Sequence, residues 1–186
     1  MNCDLINTIP RIQDKSYLEL GIGNGINFKS VLAHDKVSVD VNGNATFTGT
    51  TDEFFSQCSE VFDIVFIDAN HDYDFVLRDF NNSVRHCGEW LMIHDLIPPR
   101  QYHTLHRFCS DGFRLLYYLL KYTSFEVYPM STNFGMTYIK MPTSPVFPER
   151  SEIMGLSYDD FMVFIRKAEL YNDAEIIRKL RHSRNE

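Results

Sequence analysis

Acidic and imidazole side chains follow two apolar stretches of the chain, and these residue types can activate a hydroxyl group. Asp68 and His71 follow the apolar run 62–67, and His94 and Asp95 close the apolar stretch that begins at Glu89. A histidine near its working pKa can take a proton from a hydroxyl group. Alternatively, carboxylates can hold a divalent cation that lowers the pKa of that hydroxyl group. The residues permit both routes.

These side chains must converge if the two stretches are neighbouring strands, because the carboxyl ends of parallel strands point into one crevice. Asp68, His71 and Asp95 are therefore the candidate catalytic residues. Asp68, His94 and Asp95 are the candidate metal ligands, with His94 on the opposite face of its strand unless the strand ends before it. For His71, the alternative is a structural hydrogen bond to the backbone after the fourth strand.

A glycine-rich turn follows the first predicted strand, 16–20, and it reads Glu19-Leu20-Gly21-Ile22-Gly23-Asn24-Gly25. Glycine lets a backbone turn tightly and approach a ligand closely. The pyrophosphate-binding pattern GxGxxG needs a third glycine at the position of Ile26, so this turn is GxGxG. The carboxylate of Glu19 repels a pyrophosphate and attracts an ammonium group. The turn thus favours a cofactor with a cation and no phosphate.

Asp40 ends the second predicted strand, 19 residues after Gly21. A carboxylate at this place can accept hydrogen bonds from both hydroxyl groups of a ribose. The alternative is that it stabilises the turn around Asn42-Gly43. The candidate cofactor-binding residues are Glu19, Gly21, Ile22, Gly23, Asn24, Gly25, Asp40, Val41, Thr51 and Asp68.

These motifs resemble those of the class I S-adenosylmethionine-dependent methyltransferases, in which an acidic residue precedes GxGxG and a second acid ends strand two. The resemblance covers residues 16–141 and implies S-adenosyl-L-methionine as cofactor and methyl transfer as activity. It also implies a Rossmann-like α/β fold whose seven-stranded, mostly parallel sheet has the order 3-2-1-4-5-7-6. The last strand is expected to be antiparallel, with helices on both faces of the sheet.

Within this superfamily, the run 62–73, Leu77-Arg78-Asp79 and Met92-Ile93-His94-Asp95 resemble the macrocin O-methyltransferase-like proteins. That branch carries Asp-x-x-His after strand four and His-Asp at the end of strand five. It is associated with methylation of sugar or other small-molecule hydroxyl groups, sometimes with a divalent metal. The resemblance therefore implies O-methylation, with His71 activating the acceptor or with Mg²⁺ or another divalent cation at Asp68 and Asp95. The stretch Gly49-Thr50-Thr51-Asp52 departs from the branch, which has an acid or serine near the adenine.

Apolar strands alternate with segments of helical periodicity for about 140 residues, which is the pattern of an α/β parallel sheet. After the first strand, the sequence predicts strands at 36–41, 45–49, 62–68, 89–94, 124–129 and 135–141. Predicted helices occupy 27–33, a segment that starts at 51, 73–86, 102–122 and 158–181, the last broken near Asn172-Asp173. The strands 124–129 and 135–141 should form an antiparallel hairpin because a short turn separates them.

Chain length and net charge limit the possible domain organisation and the class of substrate. The 186 residues fit one methyltransferase domain, 1–150, and a helical extension, 151–186, that packs on this domain or on a second copy in a homodimer. The net charge of −7 disfavours nucleic acid, so a small-molecule substrate is expected. No apolar run approaches the roughly 20 residues that span a bilayer, and no secretory signal is recognisable, so we expect a cytoplasmic protein without membrane attachment.

Two other functions remain open at this point. A methyltransferase-like domain without catalytic activity can serve as an assembly partner through its C-terminal helices. A nicotinamide-binding oxidoreductase of the Rossmann type is the second alternative, and Ile26 and Glu19 disfavour it.

Overall fold

The computed structural model of the chain describes residues 2–132, 134–142, 153 and 155–182, and a seven-stranded sheet forms its centre. The strands are β1 (Ser16–Leu20), β2 (Asp35–Asp40), β3 (Phe47–Thr48), β4 (Phe62–Ile67), β5 (Cys87–Ile93), β6 (Glu126–Pro129) and β7 (Thr137–Lys140). Their ends lie within two residues of the predicted ones. Apolar strands of this kind form because both faces of a parallel sheet are covered.

The strand order is β3-β2-β1-β4-β5-β7-β6, which confirms the predicted order and the α/β fold class. Strands β1 to β5 pair in parallel, and β7 pairs antiparallel with both β5 and β6. The hairpin prediction is therefore confirmed. A dinucleotide-binding sheet has the order 3-2-1-4-5-6, so the inserted antiparallel β7 distinguishes this fold from it. The order also makes β4 the neighbour of both β1 and β5.

Helices cover both faces of the sheet. They are α1 (Asn2–Ile6), α2 (Ile26–Ser30), α3 (Thr51–Gln57), α4 (Tyr73–Val84), α5 (Phe113–Tyr122), α6 (Tyr158–Ile165) and α7 (Asp173–His182). Successive strand residues point to opposite faces, so Tyr17 and Leu18 belong to different hydrophobic clusters. The Leu18 cluster includes buried residues of α3 to α6, and the Tyr17 cluster includes buried residues of α1 and α7.

The predicted helix 102–122 is wrong in its first half. Gln101–Thr104 is a 3₁₀ turn, and the α-helix begins only at Phe113. The backbone of Ser110 has a φ of 48°, which no α-helix contains. Side chains of this loop bind the start of α4 instead: Ser110 Oγ donates to Asp72 Oδ1 at 2.5 Å, and Asp111 Oδ1 accepts from the backbone N–H of Tyr73 at 2.7 Å.

The C-terminal segment packs on the sheet domain. In α6, the ring centroid of Phe161 lies 5.0 Å from that of Phe113, and Phe164 lies 4.7 Å from Tyr117. In α7, Leu180 is buried in the Tyr17 cluster. Dimerisation through this segment stays a prediction. Among the described residues, no helix has both the length and the apolar character required to cross a membrane.

The turn after β1 packs directly against the backbone after β4. Gly21 has a φ of 82°, and a Cβ atom there would lie 2.3 Å from the carbonyl oxygen of Asp68 and 2.5 Å from Cα of Ala69. Gly23 has a φ of 51°, and a Cβ atom there would meet nothing within 4 Å. Of the three glycines in this turn, only Gly21 is therefore required by close packing as well as by backbone conformation.

We expect Gly21→Ala to lower the free energy of unfolding more than Gly23→Ala by ~2 kcal/mol or more, because both changes strain the backbone but only the first forces β1 and β4 apart. Urea unfolding of the two variants and the wild type measures the difference. Equal destabilisation by the two substitutions would contradict the close packing at Gly21.

Candidate active site

A cavity of about 460 Å³ lies at the carboxyl ends of β1, β2 and β4, beside α4. This volume lies in the range of small-molecule sites. Six of the predicted cofactor-binding residues line it, namely Gly21, Gly23, Asp40, Val41, Thr51 and Asp68. The cavity also has wall residues that the sequence did not single out as cofactor-binding, among them Phe75, Arg78 and Asp79 of α4.

Asp40 is bound to the glycine turn. Its Oδ2 accepts hydrogen bonds from the backbone N–H groups of Ile22 at 3.0 Å and Gly23 at 3.1 Å, and its Oδ1 accepts one from Asn42 at 2.8 Å. A carboxylate has about four acceptor positions, so three of them are used within the protein. The turn-stabilising role is therefore present in the structure, and acceptor capacity remains for one ribose hydroxyl group rather than two.

Glu19 lies under the turn rather than in the cavity wall. Its side chain is 1% exposed, and Tyr17 Oη (2.6 Å) and Asn27 Nδ2 (3.1 Å) both donate to its Oε2. Burial raises the pKa of Glu19 to about 7, against the opposing effect of the two hydrogen bonds. Ile22, Asn24 and Gly25 likewise shape the turn: the side chain of Ile22 is buried, Asn24 Oδ1 accepts from the backbone N–H of Ile26, and Gly25 precedes α2.

The structure brings the four predicted polar side chains after β4 and β5 together. His71 Nε2 lies 3.3 Å from Asp68 Oδ1, and His71 Nδ1 lies 3.4 Å from Asp95 Oδ2. His94 Nδ1 lies 3.3 Å from Asp68 Oδ1 and 3.2 Å from Asp95 Oδ1. We call these four residues the His-Asp cluster. Since Asp68 also lines the cavity, the cluster and the cavity are contiguous.

Strand β5 ends one residue earlier than predicted, and this places His94 in the cluster. The strand stops at Ile93, the backbone N–H of His94 donates to the carbonyl of Ile67 at 3.0 Å, and Asp95 has a left-handed φ of 62°. Side-chain alternation no longer applies beyond the strand end. The condition under which His94 would not face the opposite side, a strand that ends before it, is therefore met, and both His94 and Asp95 lie beside Asp68.

Hydrogen-bonding chemistry requires positive charge in this cluster. His71 Nδ1 lies 2.7 Å from the carbonyl oxygen of Phe108, which only accepts, so Nδ1 carries a proton. In the neutral ring, Nε2 would then point a lone pair at the carboxylate of Asp68. A proton on Nε2 or a cation between the two groups removes this repulsion. His71 thus bonds the backbone, but the acceptor lies in the loop after β5 and not after the fourth strand as the alternative predicted. This hydrogen bond also fixes the tautomer.

The pKa values follow from the same arrangement. Burial opposes ionisation of Asp68, but the hydrogen bond from His71 and the positive charge of the nearby His71 and His94 rings outweigh it and lower the pKa of Asp68 to about 2. Burial likewise opposes the charged forms of His71 and His94, while the carboxylates of Asp68 and Asp95 outweigh it and raise both pKa values. Among the described residues, neither ring nitrogen of His94 has a partner in hydrogen-bond geometry.

The cluster fits a divalent cation. One ligand atom from each of Asp68, His71 and Asp95 lies within 4.8 Å of the other two. Ligand distances of about 2.0–2.6 Å to a central ion are compatible with such a spacing. His71 replaces the predicted His94 in this set, and His94 lies beside it with its unpartnered nitrogens. Carboxylate and imidazole ligands together suit Mn²⁺ and related ions as well as Mg²⁺.

Two contacts of the cluster were not predicted. The carbonyl of Phe108 binds His71, and the buried thiol of Cys109 lies beside Asp95, whose charge adds to burial in raising the pKa of Cys109 to about 12. Both come from the loop that was predicted as helix. Neither contact could be predicted from the sequence, because one contact uses a backbone atom and the other depends on the path of the loop.

No family model matches the chain, and no curated protein matches its sequence. Solved structures match its fold. An O-methyltransferase from Bacillus cereus in complex with S-adenosylhomocysteine has a TM-score of 0.54 at 13% identity, over 76% of this chain and 80% of that one. The O-methyltransferase TomG from Streptomyces achromogenes, in complex with S-adenosylmethionine, has a TM-score of 0.56 at 12% identity, over 77% and 80%.

A third structure is similar over more of this chain. The MycE methyltransferase from the mycinamycin biosynthetic pathway, in complex with Mg and S-adenosylhomocysteine, has a TM-score of 0.53 at 14% identity. The match covers 90% of this chain and 55% of MycE, so this chain corresponds to about half of that protein. Together with the strand order, these likenesses show that the fold is the Rossmann-like fold of class I methyltransferases.

The pKa of Glu19 predicts a pH dependence of stability. Because the folded-state pKa of about 7 lies above the ordinary value of 4.5 for a glutamate, the folded state retains a proton that the unfolded state loses between these pH values. Stability therefore falls as pH rises from 4.5 to about 7, by up to ~3 kcal/mol. Glu19→Gln keeps an oxygen that can accept from Tyr17, but the variant has no carboxyl group to titrate and so does not lose stability in this way. The free energy of unfolding of Glu19→Gln relative to the wild type, measured by urea unfolding, should therefore increase between pH 5 and pH 8.

Glu53→Gln is the matched control. Hydrogen bonds from the backbone and side chain of Thr50 lower the pKa of Glu53, so its contribution to stability is lost only as pH falls toward the acid range. Its effect should stay constant between pH 5 and pH 8. The same constancy for Glu19→Gln would contradict a buried Glu19 that titrates near neutrality.

Proposed function

We propose that the protein is an S-adenosylmethionine-dependent methyltransferase that methylates a hydroxyl group of a small molecule or a sugar. The observation that carries this proposal is the position of Asp68, which belongs both to the cavity beside the glycine turn and to the His-Asp cluster. A cofactor in that cavity would present its reactive group next to residues that can activate an oxygen nucleophile.

The charges of the cavity favour a cationic nucleoside over a dinucleotide. Three carboxylates, those of Asp40, Asp68 and Asp79, line it, and the guanidinium of Arg78 is paired with Asp52 at 3.0 Å. Two phosphates in this wall would face like charges, whereas a sulfonium and an ammonium group would be attracted. This supports S-adenosylmethionine and weighs against a nicotinamide cofactor.

Methyl transfer to an alcohol requires the acceptor oxygen to lose its proton while it displaces the sulfur in line. The methyl group passes from the sulfonium to the oxygen, and the proton must go to a base. His71 can supply that base only through Nε2, because Nδ1 is already committed to the carbonyl of Phe108. Nε2 must be unprotonated when the acceptor binds, so this route requires a pH above the raised pKa of His71. Asp68, 3.3 Å from Nε2, would stabilise the imidazolium that results.

A divalent cation held by Asp68, His71 and Asp95 would instead lower the pKa of the hydroxyl group and orient it. The likeness to MycE, whose structure contains Mg and S-adenosylhomocysteine, supports this second route. The two routes differ in the demand on His71, which is a proton acceptor in the first and a ligand in the second. Asp95 is needed in both, since it contacts His71 and His94.

Calorimetric titration with S-adenosylhomocysteine tests the proposal. We expect the wild type to bind it and Asp40→Asn to bind it at least about tenfold more weakly, because a weaker acceptor faces the ribose and the glycine turn loses charge-assisted hydrogen bonds. Asp35→Asn, at the exposed start of the same strand, should bind like the wild type. Absence of wild-type binding at millimolar ligand would refute the proposed function.

Metal dependence separates the two routes of activation. If a cation is used, Asp95→Asn should lower both the affinity for Mn²⁺ and the rate of methyl transfer by at least about tenfold, and EDTA should abolish the activity. Calorimetry measures the affinity for Mn²⁺. The rate is measured as transfer of a radiolabelled methyl group to a panel of sugars and polyols.

The control is Asp35→Asn, which removes the same charge from an exposed carboxylate at the start of β2, outside the cluster. It should bind Mn²⁺ like the wild type. Activity that is insensitive to EDTA but lost in His71→Gln would instead support histidine as the base and exclude the metal route.

A further inference from the structure

Asp79 is a buried carboxylate that the proposed chemistry does not use. It lies on α4, is 2% exposed, and is one of the residues that line the cavity. It belongs neither to the glycine turn nor to the His-Asp cluster. Buried carboxylates are costly unless they are paired, so a partner for Asp79 is expected.

The protein itself supplies few partners. Thr51 Oγ1 donates a hydrogen bond to Asp79 Oδ1 at 2.5 Å. Among the described residues, this is the only hydrogen bond that the Asp79 side chain forms. The guanidinium of the adjacent Arg78 forms its ion pair with Asp52 instead. Burial raises the pKa of Asp79 to about 6, against the opposing effects of Thr51 and Arg78. At neutral pH the carboxylate therefore has an acceptor oxygen, Oδ2, without a protein donor.

Two apolar side chains form surfaces of this cavity that suit a flat ring. Val41 directly follows Asp40 and is 64% exposed, and Phe75, one turn before Asp79 on α4, is 40% exposed. Both line the cavity. Exposed apolar side chains that face one cavity typically contact an apolar or aromatic part of a ligand. The cavity thus combines a ribose-binding carboxylate, faces for a ring and a buried hydrogen-bond acceptor.

We propose that Asp79, held by Thr51, accepts a hydrogen bond from the exocyclic amino group of adenine and so selects a 6-aminopurine over a 6-oxopurine. This inference rests on the proposed function, which places an adenosyl cofactor in the cavity. An ionised carboxylate has acceptors only. It pairs with the 6-amino group, which donates, and repels a 6-oxo group, which accepts. Sites that bury a hydrogen-bonding group discriminate strongly against a ligand that leaves the group unpaired.

The experiment compares S-adenosylhomocysteine with S-inosylhomocysteine, which differs by a 6-oxo group in place of the amino group. Calorimetry should show that the wild type binds the adenosyl compound at least about tenfold more tightly. Asp79→Asn keeps the size of the side chain and an oxygen for Thr51 but offers an N–H donor. It should weaken binding of the adenosyl compound and not of the inosyl compound, so that the preference falls to about one or reverses.

Asp35→Asn is the control, because it removes an exposed carboxylate at the start of β2 that is not among the residues lining the cavity. Its preference for the adenosyl compound should equal that of the wild type. Thermal unfolding of each variant reports whether the fold is retained.

Three outcomes would overturn the inference. Equal binding of the two compounds by the wild type would do so without any variant, and it remains decisive even if Asp79→Asn does not fold. An Asp79→Asn variant that weakens both compounds equally would assign Asp79 a structural role only. If the wild type binds neither compound, the proposed function falls together with the inference, whereas binding without base preference overturns the inference alone.

Discussion

The site depends on the repulsion between two carboxylates, Asp68 and Asp95, that lie beside the same two imidazole rings. Buried like charges are stable only when positive charge lies among them. The structure provides two sources, protonated histidines or a bound cation, and both use the same atoms. The raised pKa values of His71 and His94 and the lowered pKa of Asp68 express this single requirement.

The sheet order meets this requirement by placing β4 between β1 and β5. One strand end therefore serves two neighbours: the backbone at Asp68 packs against Gly21, and its side chain faces His94 and Asp95. The long connection after β5 then closes the cluster, because its residues bind the start of α4 through Asp72 and Tyr73. This anchoring holds the Phe108 carbonyl against His71 and so selects the protonated nitrogen of that ring.

The sequence was sufficient to predict the sheet and the convergence of Asp68, His71 and Asp95, since apolar runs that end in acids mark strand ends in a parallel sheet. The sequence was not sufficient to predict the conformation of the connection after β5. Leu105 and Phe108 have helical spacing, but hydrogen bonds to α4 and the left-handed backbone at Ser110 override local propensity. The role of Glu19 was also only partly predictable, because burial beside Tyr17 and Asn27 depends on contacts between β1 and α2.

The neutralised state of the cluster matters for the proposed reaction. Methyl transfer removes the positive charge of a sulfonium, so an isolated carboxylate beside it would stabilise the reactant more than the transition state and slow the transfer. Asp68 lines the cavity, but His71 and His94 balance its charge and that of Asp95. This pairing would let the carboxylates orient an acceptor without binding the sulfonium too strongly. In the proposed reaction, the histidines would therefore contribute by offsetting the carboxylates even where they exchange no proton with the substrate.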